Sequence, residues 1–438
     1  MLSPQRRNDI VDALRRGTVP TRGLDCLAVG LERFEPAILE NLDAVERGSS
    51  VFKAIRGEYG SGKTFLARWM QERARSRGWA TAEVPISETE TPLHRLETVY
   101  RRMMERLATA ETAEGALRSV VDGWFYALEQ DVLAEGQVQE SQTDLLMERS
   151  ASLMESRLAD IHRMAPAFAA ALRGYRQAVA GSDTAGAEGI LAWLAGQPNV
   201  GASVKRVAGL RGEVDHFGAL CFLQGLLVAL RDSGRPGLLV VLDEVETLQR
   251  VRGDVRDRGL NSLRQLIDDV DSGRFPGLYL VVTGTPSFFD GPQGVQRLPP
   301  LAQRLHVDFA TDARFDNPRA VQVRLPGFSQ GALEEVGNKV RDLYVEHSRS
   351  PERLRRMADD AYVSALACAV TGELGGRVGV APRIFLKKLV ADVLDRIDQF
   401  PEFDPRVHYK LTLADAELTL MERNARAATT PDDVELDL

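Results

Sequence analysis

The stretch GEYGSGKT, residues 57–64, decides the fold of this chain. Its spacing is G-x-x-x-x-G-K-[ST], typical of a P-loop (Walker A) that surrounds phosphate groups with backbone N–H donors. Glycine lets the backbone turn tightly and places no Cβ between the amides and the anion. We expect the nucleotide to contact Gly57, Glu58, Tyr59, Gly60, Ser61, Gly62, Lys63, Thr64 and Phe65.

The chemistry of two of these side chains is specific to a triphosphate. Lys63 is expected to reach the β- and γ-phosphates, and the Thr64 hydroxyl to ligate Mg²⁺. The flanking sequence agrees, because the apolar run 51–55 predicts a buried strand and residues 64–70 predict a helix. The N-terminus of such a helix favours an anion. A chance glycine-rich turn, the alternative, leaves both flanks unexplained.

Composition indicates a soluble intracellular enzyme. The 438 residues suggest two or three folding units, and the net charge of −8 disfavours a nonspecific polyanion binder while allowing a local basic patch. The three cysteines form no C-x-x-C pair and the six histidines no ligand motif, which argues against structural zinc. The N-terminal sequence has no apolar core of a signal peptide, and no apolar run is long enough for a bilayer. We therefore expect a cytoplasmic protein with no membrane partner.

A second motif follows the apolar run 238–242, which predicts a strand covered on both faces. The run ends in Asp243 and Glu244. Asp243 is expected to hold Mg²⁺ through water, and Glu244 to polarise the attacking water as a general base. An acidic turn at a strand end is the alternative. Glu246 is expected to be a solvated helix residue.

A further apolar run, residues 278–283, predicts another buried strand that ends in the polar sequence TGTPSFF. A strand lying between the P-loop strand and the Asp-Glu strand would bring its carboxyl end beside the γ-phosphate. Thr283 is our first candidate to orient the lytic water and Thr285 the second, although either threonine alone could be a polar turn residue. Strands at 80–86 and 320–325 complete an α/β fold with a mostly parallel sheet. Ligands of such sheets bind at the carboxyl ends of the strands.

The pattern resembles the AAA+ ATPases, within them the initiator clade related to origin-recognition proteins. PPLAQRL (299–305) is similar to the segment that places an arginine finger, and GGRVGVAPRIFLKKLV (375–390) to the helical lid with its sensor arginine. The resemblance implies that Arg304, or less strongly Arg297, stabilises γ-phosphate charge in a neighbouring subunit of a homo-oligomer. It also implies that Arg383 contacts the nucleotide in cis, and that Val29 and Gly30 lie beside the adenine. The implied fold is an AAA+ (ASCE) P-loop sheet with helices on both faces, a large helical insertion and a small helical lid.

Several phrases resemble the ATP-binding proteins of bacterial BREX phage-defence systems. They are RRG-x-VP…GL…AVG, IRGEYGSGKTFLARW, LDEVETL, TGTP-x-FF and G-x-APR-x-FLK. The resemblance implies a role in defence against foreign DNA, alongside a helicase and other components of the system.

The motifs divide the chain into predicted segments. These are an N-terminal helical segment with the adenine-side loop (1–50), the first part of the core (51–92), a helical insertion (93–232), the second part of the core (233–327), the lid (328–397) and a tail (398–438). Within the insertion, Pro166 is expected to split a helix. Two basic clusters there could contact nucleic acid: Arg95, Arg101, Arg102 and Arg106, interleaved with glutamates, and Lys205, Arg206 and Arg211 beside glycines.

Taken together, the sequence predicts an ATP-binding, Mg²⁺-dependent ATPase that acts as a DNA-associated loader or remodelling enzyme. The rival hypothesis is a low-turnover switch or scaffold that recruits a partner such as a helicase. Both need the P-loop, so the loop cannot separate them. A peptide-remodelling motor is disfavoured, since no aromatic pore loop follows the second strand.

Overall fold

The computed structural model describes residues 3–136, 139, 141–376, 379 and 381–427. Five strands form one sheet in the order β2-β3-β4-β1-β5. They are β1 (Val51–Arg56), β2 (Ala80–Pro85), β3 (Leu238–Asp243), β4 (Leu278–Gly284) and β5 (Gln322–Arg324). β2, β3 and β4 pair in parallel, and β4 lies between β3 and the P-loop strand β1. The predicted α/β fold with a parallel sheet is confirmed.

Helices make up most of the rest of the described chain. They are α1 (Pro4–Arg15), α2 (Glu35–Glu46), α3 (Lys63–Ser76), α4 (Leu96–Glu105), α5 (Leu117–Ala134), α6 (Thr143–Met164), α7 (Pro166–Ala180), α8 (Thr184–Leu194), α9 (Ala202–Val207), α10 (His216–Asp232), α11 (Gly253–Asp271), α12 (Pro286–Asp290), α13 (Pro299–Leu305), α14 (Gln330–Val345), α15 (Pro351–Met357), α16 (Asp360–Glu373), α17 (Pro382–Lys387), α18 (Asp395–Gln399), α19 (Pro405–His408) and α20 (Leu420–Ala427). A π-helical segment, Lys388–Leu394, joins α17 to α18.

The chain forms two compact units. The first consists of the residues up to Ala37, Ile55–Glu72 and the residues from Asp308 onward. It contains the P-loop, and its apolar core is built from α1, α14, α16, α17 and the π-helical segment. Phe65 and Phe328 pack against this core. The helix that follows the P-loop is thereby fixed to the lid helices.

The second unit consists of Ile38–Ala54 and Arg73–Val307. Every residue of β3 and β4 is buried, which means that both faces of the sheet are covered there. The named elements between β2 and β3 in the described residues are the helices from α4 to α10, and one isolated antiparallel bridge joins Ala108 to Thr81 of β2. α6 ends at Met164 and α7 begins at Pro166, because proline lacks the N–H donor of a helix interior but fits the first turn.

Local bounds differ from the predictions by a few residues. The predicted strand 320–325 is only three residues long in the structure. The helix predicted over 64–70 extends from Lys63 to Ser76. None of the described helices is long and apolar enough to cross a membrane.

Candidate nucleotide-binding site

The glycines of the P-loop occupy positions where other residues would be strained. Gly60 (φ 79°) and Gly62 (φ 91°) lie in the left-handed region, which a Cβ disfavours. At Gly57, a Cβ would clash with Ser61 Oγ and lie 3.1 Å from the carbonyl oxygen of Leu325, directly after β5. The tight turn therefore depends on a missing side chain at each of these positions.

The lysine of the loop lies over the loop itself. Lys63 Nζ donates to the carbonyl oxygens of Gly57 (2.8 Å) and Glu58 (3.2 Å), and it lies 5.1 Å from the ring centroid of Tyr59. These contacts hold a cationic amine within the loop, at the start of α3. An amine so placed suits an anionic ligand, because charge-assisted contacts to phosphate are stronger than those to a neutral carbonyl.

Ser61 gives an independent sign that the loop fits a ligand with many oxygens. Its Oγ is buried and has no hydrogen-bond partner among the residues that the structure describes. A buried hydroxyl without a partner costs free energy, and a phosphate oxygen could accept a hydrogen bond from it. The left-handed glycines, the loop lysine and this hydroxyl together fit a nucleoside triphosphate.

The second motif lies at the carboxyl ends of β3 and β4. Leu242 and Val282 are register partners in the parallel pair, so Asp243 and Thr283, the next residues, lie side by side. Thr283 Oγ1 donates to Asp243 Oδ1 and accepts the backbone N–H of Glu244 at 3.2 Å. Thr283 is fully buried and Asp243 nearly so. The threonine hydroxyl thus connects both acidic residues of the motif.

Glu244 and Glu246 differ in their surroundings. Glu244 is exposed and has left-handed backbone geometry (φ 61°), which is uncommon for a residue with a Cβ and clusters at functional sites. Glu246, predicted to be solvated, is instead buried, and this prediction was wrong. The residues after Glu244 form a short 3₁₀ turn, Val245–Gln249, whose tighter winding carries Glu246 inward.

The two candidate threonines have different hydrogen-bond partners. Thr285 Oγ1 lies 2.9 Å from Ser287 Oγ at the start of α12. Thr283 contacts the acidic motif directly. Of the two, only Thr283 contacts the acidic motif, and its role with the lytic water stays a prediction.

Both candidate finger arginines are paired with aspartates of α11. The Arg304 side chain donates to Asp268 and to the carbonyl oxygen of Pro300 (2.9 Å). Arg297 pairs with Asp257, at 3.1 Å for one of its two bonds. Asp268 also accepts from Arg264 at 2.7 Å. Asp268 was not among the predicted site residues, because no local pattern indicates a partner 36 residues away.

The lid arginine is bound by the C-terminal segment. Arg383 donates through Nε to Glu422 (2.9 Å), through a second bond to the same carboxylate, and to the carbonyl oxygen of Glu417 (2.7 Å). Lys387 and Lys388 donate to the Glu417 carboxylate. Two glutamates of the tail therefore cover the basic start of the lid helix.

Glu422 was missed in the sequence analysis, although a signal for it exists. Thr419-x-x-Glu422 is a capping box at the start of α20: Thr419 N donates to the Glu422 carboxylate at 2.7 Å, and Glu422 N to Thr419 Oγ1 at 3.3 Å. This motif marks a helix start. It would have predicted an ordered helix in the tail.

The adenine-side segment adjoins the lid within the first unit. Gly30 has a left-handed backbone (φ 70°), and a Cβ there would have no atom within 4 Å. Lys339 Nζ of α14 donates to the carbonyl oxygen of Ala28 at 2.6 Å. Val29 and Gly30 thus lie on a turn fixed to the lid, and their contact with adenine stays a prediction. Within the described ranges, no group of three or more His, Cys, Asp or Glu side chains could hold a metal ion.

The chain is similar to one family of known proteins and, more distantly, to a solved structure. A solved structure of the ORC2 protein of Aeropyrum pernix, in ADPNP–ADP complexes, is 13% identical, with a TM-score of 0.35; the match covers 82% of this chain and 66% of that one. No curated protein sequence matches the chain significantly. The profile of the BREX system ATP-binding proteins BrxC/D matches residues 2–413. The chain therefore belongs to the BREX system ATP-binding protein BrxC/D family, and the predicted BREX resemblance is confirmed.

Proposed function

We propose that this protein hydrolyses ATP and couples hydrolysis to a loading or remodelling step on DNA in BREX-type antiviral defence. The observation that carries the hydrolytic part is the hydroxyl of Thr283, which contacts Asp243 and the backbone N–H of Glu244. A buried acid, a fixed hydroxyl and an exposed glutamate at adjoining strand ends are the parts that positioning of a lytic water requires.

Each residue has a distinct role in this proposal. Lys63 binds the β- and γ-phosphates in place of the carbonyl oxygens of Gly57 and Glu58. Thr64 and Asp243 would hold Mg²⁺, which supplies charge neutralisation on the phosphate oxygens when bound. Glu244 accepts a proton from the attacking water, and Thr283 fixes the backbone that carries Glu244.

The arginines complete the charge balance. Arg383 approaches the phosphates in cis, and Arg304 acts on the nucleotide of a neighbouring copy in a homo-oligomer. A guanidinium suits both roles, because it is always charged and binds phosphate oxygens in pairs. The energy of hydrolysis then drives a conformational or assembly step on DNA or on a partner such as a helicase.

A second function, a low-turnover ATP-dependent switch that recruits a partner, is favoured by one specific observation. Both arginines that would stabilise the developing charge are held by carboxylates of their own chain, Arg383 by Glu422 and Arg304 by Asp268. Turnover would stay low until an assembly step releases them. The two hypotheses therefore differ in the basal rate and in what raises it.

Steady-state ATPase measurement, without DNA and with single-stranded or duplex DNA, tests the proposal. Turnover that requires Mg²⁺ and rises with DNA supports the DNA-coupled enzyme. ATP binding with negligible turnover under all these conditions would support the switch instead. Lys63→Ala serves as the control for contaminating ATPases, since it should abolish binding and turnover together.

A further inference from the structure

The two basic clusters of the helical insertion differ in whether their side chains form ion pairs. In the first cluster, ion pairs with nearby glutamates engage most members: Arg95 with Glu97, Arg102 with Glu90 and Glu105, and Arg106 with Glu114. Neutralised arginines of this kind form an ordinary solvated helix face. The first cluster is therefore a poor candidate for nucleic-acid binding.

The second cluster, in the connection from α8 to α10, is different. Arg206 and Arg211 are exposed, and neither side chain has an ion pair or hydrogen bond within the part of the chain that the structure describes. Within the described residues, the only side-chain hydrogen bond of Lys205 is a long one, 3.5 Å from Nζ to the carbonyl oxygen of Gly212. The cluster thus presents cationic donors that no carboxylate of the described chain neutralises.

Large apolar side chains are exposed beside these cations. Val207 is 77% exposed and Phe217 is 70% exposed. Phe217 lies at the start of α10 and makes an edge contact with His216, with ring centroids 5.5 Å apart. The exposed ring is unfavourable in water, and an aromatic side chain in the same short stretch of chain as unpaired arginines suits a ligand that has both anionic and flat apolar parts.

The connection is fixed to the helices beneath it. A Cβ on Gly189 of α8 would lie 2.9 Å from Val204, and one on Gly174 of α7 would lie 2.6 Å from Ala208. The indole Nε1 of Trp193 donates to the carbonyl oxygen of Gly212 at 3.2 Å. Leu210 is buried. Because the backbone is held at these points, the exposed side chains project from a fixed segment of the chain.

The acidic residues of the connection are engaged elsewhere. Glu213 accepts the backbone N–H of Asn199 at 3.1 Å, and Asp215 caps α10 by accepting the N–H of Gly218 at 2.7 Å. Both carboxylates bind backbone amides rather than the arginines. They lower the net charge of the surface but leave its donors available.

We propose that this surface, defined by Lys205, Arg206, Val207, Arg211 and Phe217, binds a single strand of nucleic acid. Arg206 and Arg211 bind phosphates, and Phe217 stacks on an unpaired base. This inference rests on the DNA-associated part of the proposed function and names the surface responsible for it. A duplex offers phosphates but hides its base faces, so Phe217 and Val207 favour a single strand.

Fluorescence anisotropy with a labelled 20-nucleotide oligo(dT), over a range of salt concentrations, tests the surface in the full-length protein. The double variant Arg206→Ala/Arg211→Ala should weaken binding by on the order of ten-fold and flatten the slope of log K against log salt by about 0.7 for each lost phosphate contact. Phe217→Ala should weaken binding roughly ten-fold with the salt slope unchanged, since stacking releases no counterions.

Two residues elsewhere in the insertion provide matched controls. Arg149 is exposed on α6, and Tyr126 on α5 is 63% exposed. Arg149→Ala and Tyr126→Ala remove the same kinds of side chain and should leave oligonucleotide binding unchanged. Thermal melting of each variant should match the wild type, because every substituted side chain is at the surface.

The outcomes separate this inference from the proposed function. If the double arginine variant and Phe217→Ala both bind the oligonucleotide with the affinity of the wild type, the proposed surface is wrong, while the DNA-associated ATPase still stands. Absence of wild-type binding to oligo(dT), to oligo(rU) and to duplex DNA alike would overturn both the surface and the DNA coupling. Tighter binding to a duplex than to oligo(dT) would overturn the single-strand assignment. Tighter binding to oligo(rU) would support the surface but assign it to RNA, against the DNA part of the proposed function.

Discussion

Arg383 and Glu422 form a two-bond ion pair that joins the start of the lid helix α17 to the tail helix α20. Glu422 is only 2% exposed, and it also accepts the backbone N–H of Thr419. These bonds occupy Nε and Nη2 of the guanidinium, so a phosphate that takes two bonds from this edge must displace the Glu422 carboxylate. Nucleotide binding through Arg383 must therefore compete with the tail.

This competition predicts that Glu422→Gln tightens nucleotide binding. In the variant, nucleotide binding no longer has to break the Arg383–Glu422 ion pair. A partly buried charged pair contributes about 1 kcal/mol, so the Kd for ATP should fall roughly five-fold. Titration with a fluorescent ATP analogue measures the change. Glu417→Gln is the matched control: it loosens the tail from Lys387 and Lys388 but keeps the backbone carbonyl that Arg383 contacts. An unchanged Kd for Glu422→Gln, together with a lower melting temperature, would show that the pair is structural only.

The hydroxyl of Thr283 predicts a loss of catalysis with little loss of affinity. Thr283→Val removes the hydroxyl that donates to Asp243 and accepts from the Glu244 N–H, which should cost about 1–3 kcal/mol of unfolding free energy. We expect kcat to fall about ten- to hundred-fold, because the Glu244 backbone is no longer fixed. Thr283→Ser keeps the hydroxyl and should stay near the wild type. Equal kcat values for the two variants would contradict the role.

The P-loop geometry predicts a steric double-variant effect. Gly57→Ala should weaken ATP binding by about ten-fold or more, since the new Cβ meets Ser61 Oγ and the Leu325 carbonyl oxygen. Adding Ser61→Gly removes the nearer obstacle and should restore part of the affinity, while the Leu325 carbonyl at 3.1 Å limits the rescue. Isothermal titration with ATP compares the three proteins. Because Ser61→Gly also removes a donor to phosphate, its single-variant loss is subtracted first, and a double variant that is then as weak as Gly57→Ala alone would show that the clash with Ser61 is not the cause.

Lys53 on β1 predicts a pH dependence of stability. Burial lowers the pKa of Lys53 from 10.5 to about 8. Between pH 8 and 10 the unfolded chain therefore holds more protons at this residue than the folded chain, and the free energy of unfolding should rise with pH by about 1–3 kcal/mol. Urea unfolding at pH 7.5, 8.5 and 9.5 should show this rise in the wild type relative to Lys53→Met. A constant difference between the two proteins across these pH values would contradict the lowered pKa.

The parts of the molecule that sequence predicted well depend on local signals. The apolar runs of β1, β3 and β4 and the glycine spacing of the P-loop each lie within a few consecutive residues. From the sequence, a strand between the P-loop strand and the Asp-Glu strand was also considered, because the carboxyl end of such a strand would lie beside the γ-phosphate. β4 has that position in the sheet. Glu246 shows the limit even locally, since a short 3₁₀ turn buried a side chain that the pattern had placed in solvent.

Pairings between distant residues could not be predicted in this way. Arg383 and Glu422 are 39 residues apart, and Arg304 and Asp268 are 36 apart. In a folded chain an arginine side chain can reach several carboxylates, and the tertiary packing decides which of them becomes its partner. Motif resemblance suggested roles for these arginines, which stay predictions, but it gave no sign of the carboxylates that hold them.

The measurement that tests the central claim most directly compares Glu244→Gln with the wild type in ATP binding and in turnover. The amide keeps the size of the side chain but cannot accept the proton of the attacking water. The account predicts that ATP still binds with nearly the wild-type Kd while turnover falls by about 10²- to 10⁴-fold. Turnover equal to that of the wild type would contradict the assignment of Glu244 as the general base and, with it, the proposed hydrolytic site.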